Sequence, residues 1–131
     1  MSRLRRSLFL VLPALVITLS CGNGQTLVSI ALSPSAVDAT GIGARVQFTA
    51  MGTFQRPHET RDITKQVTWS SASTQVATVD SNGLAVSTNL CGSTPITAAA
   101  HSDLNAGTGS LITGQAQFII HNPGDPNCPF K

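Results

Sequence analysis

An all-β fold is predicted for this chain: an antiparallel β-sandwich of about seven strands packed as two sheets. Three observations predict it. From about Gln25 onward, apolar and polar residues alternate rather than recurring at helical spacing. Turn-favouring residues (Gly, Pro, Asn, Asp and Ser) punctuate that alternation at regular intervals. Only 11% of the 131 residues are charged, against about 25% in typical soluble proteins. Thr, Ser, Gln and Asn take the outward positions instead, where they suit a strand better than Lys or Glu.

The segments justify themselves in order. Leu27 to Ser33 places Val28, Ile30 and Leu32 on one face and stops at Pro34. Arg45 to Phe54 groups Val46, Phe48 and Ala50, with Gln47 and Thr49 opposite. Lys65 to Ser71 sets Val67 and Trp69 against Gln66, Thr68 and Ser70. Gln75 to Asp80 carries Ala77 and Val79 together, and Leu84 to Thr88 follows after Ser81-Asn82-Gly83. Asn-Gly between alternating runs is a strong hairpin signal, because both residues tolerate positive φ. Thr94 to Ala100 aligns Ile96, Ala98 and Ala100, and Gln115 to His121 turns Phe118 and Ile120 inward with Ile119 opposite. The expected core is therefore centred on Phe48, Val67, Trp69, Val79, Ile96 and Phe118. Two stretches, Gly52 to Gln66 and Ser102 to Gly114, break the pattern and are expected to be exposed loops.

The N-terminus follows different rules. Met1 to Arg6 holds Arg3, Arg5 and Arg6, and Leu8 to Leu19 is an uncharged run of twelve residues. As a helix that run spans about 18 Å, against roughly 30 Å of hydrocarbon. It is too short to cross a bilayer, and it lacks the polar face of an amphipathic core helix. The order of charge then apolar run is that of a signal peptide, over residues 1–20. Thr18-Leu19-Ser20-Cys21-Gly22 resembles the cleavage site of bacterial lipoproteins, with Ser20 and Cys21 fitting and Thr18 departing from the usual Leu. The resemblance implies a lipid thioether on Cys21, a short lipidated linker over 21–26, and a membrane as partner. The alternative is an ordinary signal peptide that leaves Cys21 free. Gly22, rather than Asp, implies outer-membrane or cell-surface sorting under the rule of enteric bacteria. Without its leader the chain keeps five basic residues against six acidic ones, a net charge of about −1. Arg45, Arg56, Arg61, Lys65 and Lys131 form no block, which excludes nucleic acid as a partner.

With Cys21 lipidated, Cys91 and Cys128 remain, and an oxidising compartment pairs them. Cys91 directly precedes one predicted strand, and Cys128 lies seven residues past the last. If those strands are antiparallel neighbours, the Pro-rich tail over 122–131 can fold back to Cys91. Unpaired thiols or an intermolecular bridge are the alternatives.

The order of segments resembles the bacterial immunoglobulin-like domain of group 2, a family also found in intimin- and invasin-type adhesins. The matching stretches are Val28 to Pro34, Gly43 to Ala50, Asp62-Ile63-Thr64, Val67 to Ser71, Val76 to Leu84, Gly92 to Ala99 (with Pro95 atypical) and Ala116 to Ile120. The resemblance covers about residues 27–121. It implies an immunoglobulin-like sandwich and a non-catalytic structural or adhesive role in the cell envelope.

Residues that carry chemistry are sparse. Trp69 is the single Trp and there is no Tyr, which speaks for a core residue and against an aromatic sugar platform. His58-Glu59, His101 and His121 lack metal-ligand spacing. Asp103 and Asn105 offer two oxygens where calcium takes six to eight, and read as a polar turn. No nucleophile elbow or phosphate loop is present, so neither catalysis nor a cofactor is expected. Two other roles stay open: an envelope assembly joined through strand edges, and a glycan or small-ligand binder using the two irregular stretches.

Overall fold

The computed structural model describes residues 24–123 and Cys128. Ten strands run in order: β1 (Thr26–Ser33), β2 (Ala36–Thr40), β3 (Arg45–Gln47), β4 (Thr49–Gln55), β5 (Glu59–Asp62), β6 (Thr68–Ser71), β7 (Ala77–Val79), β8 (Leu84–Ser87), β9 (Gly92–Asp103) and β10 (Thr108–His121). There is no helix among the described residues. One layer is the four-stranded sheet β2–β10–β9–β6. The other is composite. Sheets β1–β4–β5 and β3–β8–β7 are joined because β3 and β4 follow each other with only Phe48 between them. An all-β sandwich therefore stands, with more strands than the alternation indicates.

Phe48 is where the composite layer breaks. Its N–H donates to the Gly83 carbonyl at 2.8 Å, and its own carbonyl accepts the Gln47 side-chain amide at 2.8 Å. The run Arg45 to Phe54 is thus two strands rather than one: β3 pairs with β8 and β4 pairs with β1 and β5. Sequence alternation continues through the break, which is why it conceals it.

The pairing is antiparallel except between β2 and β10, which run parallel from Ala36↔Gln117 to Thr40↔His121. β2 goes unforeseen because Ala36-Val37-Asp38-Ala39-Thr40 is an edge strand with only Val37 and Ala39 half-buried. Likewise β5 shows no apolar pattern; Glu59-Thr60-Arg61-Asp62 gains its order from the β4 ladder and from Arg61, whose guanidinium carbon lies 4.2 Å above the Phe54 ring. The two stretches expected as loops are consequently hairpins. Gly52 to Gln66 contains the β4–β5 turn at Arg56-Pro57-His58, and Ser102 to Gly114 contains most of the far end of the β9–β10 hairpin. Most side chains from Asn105 to Leu111 are exposed, and only Leu104 and Ile112 pack against the core, so few apolar positions are left to show alternation. A register shift between Thr108 and Leu111 adds irregularity, with Gly109 at φ +92°.

The core lies between the layers. Phe48, Ile96 and Phe118 are fully buried, and Trp69 is 9% exposed. Phe48 and Phe118 meet edge to face with centroids 6.1 Å apart, an arrangement that contributes about 0.5–1.5 kcal/mol beyond area burial. Leu27, Phe54, Ile63, Ala85 and Ile120 are buried beside them, with Ile30, Leu32, Val76 and several Ala filling the space between. Val67 and Val79 are only half-buried. Val67 lies in a turn, since Gln66 N–H bonds the Ile63 carbonyl and β6 begins at Thr68. Val79 lies on β7, the edge of its sheet, where the preceding turn buries Val76 instead.

Candidate functional site

Asp62, Ile63 and Thr64 form a short turn that ties the composite layer together. Ile63 is fully buried and anchors the turn. The Asp62 carboxylate accepts the Thr64 N–H at 2.8 Å. The Thr64 hydroxyl accepts the Ala50 N–H at 2.9 Å, and the Thr64 carbonyl accepts the Trp69 indole N–H at 2.9 Å. Side-chain and backbone bonds from Thr64, together with the nearby Lys65 charge, hold the Asp62 carboxyl below its ordinary value of 3.8 against a smaller opposing effect of burial.

The β7–β8 hairpin meets this turn from the other side. Asp80 Oδ1 accepts the N–H groups of Leu84 at 3.0 Å and Asn82 at 2.8 Å, and these bonds lower its carboxyl too. Only Gly83 takes positive φ, at +80°; Asn82 does not. The loop is thus a tight turn closed by a left-handed Gly, rather than a turn with both central residues left-handed. The Gly is required for space as well, since a Cβ would sit 2.5 Å from the Phe48 carbonyl and 2.9 Å from Trp69 Cζ2.

Between the two turns lies an open groove of about 570 Å³ lined by Gln47, Thr49, Asp62, Thr64, Lys65, Gln66 and Asn82. Its walls are held in place. Gln47 Nε2 donates to the carbonyls of Phe48 and Asn82 at 2.8 and 2.7 Å, and Thr64 is fixed by the bonds just described. Sequence reading does not assemble this set, because it comes from three separated segments. The one local signal is Asp-x-Thr, in which an Asp side chain caps its own turn.

The other candidate residues remain apart. His58 sits in the β4–β5 turn, while Glu59 pairs with Arg61 at 3.2 Å. His101 Nδ1 lies 3.2 Å from the Gly109 carbonyl, and His121 Nε2 lies 3.1 Å from Asp38 Oδ1. Asp103 Oδ1 accepts the N–H groups of Asn105 and Ala106 and so caps the β9–β10 turn. Among the described residues, no three of His, Cys, Asp and Glu come together. Cys91 and Cys128 are joined in a disulfide with Cα atoms 5.7 Å apart, which places Cys128 beside the start of β9. Cys21 lies outside the described residues.

Comparison with known proteins agrees with this architecture. The model of the bacterial Ig-like domain (group 2) family matches residues 27–107. Over 75 residues, 57% of this chain, it is 44% identical to ice-binding protein 1 of Shewanella frigidimarina (strain NCIMB 400). The chain spans about 8% of the length of that relative. The matched family segment takes in β1 to β9, the Asp62 turn and the Gly83 hairpin. The chain belongs to the bacterial Ig-like domain (group 2) family.

Proposed function

We propose that this chain is a non-catalytic, exported module of the bacterial cell envelope, held at the outer membrane or cell surface by a lipid on Cys21, where its sandwich serves a structural or adhesive role. The short join before the fold carries the reading. Thr26 opens β1 five residues after Cys21, which at about 3.6 Å per residue places the first strand within roughly 18 Å of the lipid. So short a tether holds a compact domain against a membrane instead of releasing it into solution. Family membership supports a surface module in place of an enzyme. The ice-binding relative is a much longer protein, and the shared segment is a small part of it. Strand-edge assembly is the less favoured role, because Glu59, Arg61 and Asp62 place charge along the open edge of β5.

The test is cell fractionation of Cys21→Ser. The variant is expected in the soluble fraction, while the parent stays with the membranes and is cleaved by protease added to intact cells. Unchanged membrane fractionation of the variant would refute lipid anchoring.

A further inference from the structure

We propose that the groove between the Asp62–Gln66 turn and the β7–β8 hairpin is a binding site for a neutral saccharide. All seven side chains that line it are polar or charged (two Gln, two Thr, one Asn, one Asp and one Lys), and their carbon stems form most of the surface between the polar tips. The single carboxylate and single ammonium cancel, so the site favours neither a polyanion nor a polycation. There is no aromatic or large aliphatic side chain in the lining; its carbon surface consists of the stems and methyls of polar side chains, a mixture that matches the alternating C–H and O–H groups of a sugar. Sugar hydroxyls both donate and accept, and the groove interleaves amide donors, amide and carboxylate acceptors and hydroxyls.

Two further observations favour a ligand over a solvated crevice. The walls are preformed: Gln47, Asp62 and Thr64 are all held by the hydrogen bonds given above. Little ordering entropy is then lost when a ligand is taken up. By contrast, the side chains of Lys65 and Gln66 make no hydrogen bond among the described residues. Their capacity is left free at the lip of a rigid groove. The volume falls within the roughly 300–1,000 Å³ of small-molecule sites. Lacking a stacking aromatic, the site should be weak, with Kd on the order of 1 mM. A peptide is the less favoured occupant. It would add as a strand along the open edge at Glu59–Arg61, beside the groove rather than in it.

Trp69 supplies the reporter, because its indole bonds the carbonyl of a groove residue. Residues 22–131 contain every strand among the described residues and both bridge cysteines. They would be titrated with maltotriose, cellotriose and chitotriose while Trp69 fluorescence and backbone amide shifts are followed. A saturable response is expected from at least one trisaccharide, with shifts centred on residues 47–49, 62–66 and 82. Gln66→Ala and Lys65→Ala are each expected to weaken it about 5- to 10-fold, roughly one hydrogen bond's worth. Their urea midpoints should match the parent's. The proposal is overturned if no probe gives a saturable response at about 10 mM, or if the response survives both substitutions. Shifts confined to Glu59–Arg61 on adding an alternating Val-Thr peptide would overturn it in favour of strand addition. The soluble chain carries no lipid, so failure here leaves the envelope reading standing, and failure of Cys21→Ser leaves the groove untouched.

Discussion

Replacing Gly83 by Ala tests the contact on which the composite layer turns. Two costs add. At φ +80° a side chain in the left-handed region costs about 1–2 kcal/mol. The new Cβ also lands 2.5 Å from the Phe48 carbonyl and 2.9 Å from Trp69 Cζ2, overpacking that costs about 1–3 kcal/mol. The backbone cannot easily retreat, because Gly83 N–H bonds the Asp80 carbonyl and its own carbonyl holds the Phe48 N–H. The expected loss is therefore about 2–5 kcal/mol, a large part of the 5–15 kcal/mol of a typical domain. Gly41 supplies the control. Its φ is +82°, and no atom lies within 4 Å of an added Cβ, so Gly41→Ala should cost only the conformational part, about 1–2 kcal/mol. Any effect on the unfolded chain is common to both variants and cancels. Urea unfolding followed by Trp69 fluorescence gives both values. Equal midpoints for Gly83→Ala and Gly41→Ala would show that Phe48 and Trp69 yield freely, and would refute the packing argument.

Trp69→Phe keeps most of the apolar volume but leaves the Thr64 carbonyl without its indole donor. It should cost about 1–3 kcal/mol by the same assay, and a neutral result would show that the carbonyl finds water. Removing both bridge cysteines (Cys91→Ser with Cys128→Ser) opens a closed loop with a sequence separation of 37 and should cost about 3–4 kcal/mol on the chain-entropy model; adding reductant to the parent should give the same midpoint. Asp62 has its folded pKa depressed below 3.8, so its stabilisation is complete above about pH 4 and fades as pH falls through the folded value. Stability of the parent should therefore drop on acidification below that point, and that of Asp62→Asn should drop less. Equal slopes would remove Asp62 from the account.

The sandwich was legible wherever one face of a strand meets the core. Phe48, Ile96 and Phe118 sit at period-two positions, and burial selects them for the same reason alternation displays them. Legibility failed where something other than apolar burial orders the chain. β5 is held by a ladder and by Arg61 over Phe54, and β2 by parallel pairing with β10 at an edge. The far β9–β10 hairpin is held mainly by its backbone ladder, with only Leu104 and Ile112 packed against the core. Val67 and Val79 alternate correctly, yet one falls in a turn and the other on an edge. The groove was the least legible feature, since Gln47, Asp62 and Asn82 become neighbours only when β3, β5 and the β7–β8 turn are brought together. Asp62-Ile63-Thr64 did stand out as a family stretch, and its physical reason is the turn it caps beneath Trp69.

The direction of the parallel pair has a mechanical consequence. The Ile30 carbonyl of β1 faces Gly114 of β10, Ala36 pairs with Gln117, and Thr40 pairs with His121. β1, β2 and β10 therefore all advance the same way, and the chain enters the sandwich at one pole and leaves at the other. β10 alone has 14 residues, about 46 Å at 3.3 Å each. A pull between Gly24 and the tail loads the β1–β4 and β2–β10 ladders along their length. Their hydrogen bonds then share the force in shear instead of parting one at a time. The Cys91–Cys128 bridge hands part of that force to the start of β9, next to β10 in the same sheet. The terminal strands are therefore placed to be loaded along their length and not peeled apart.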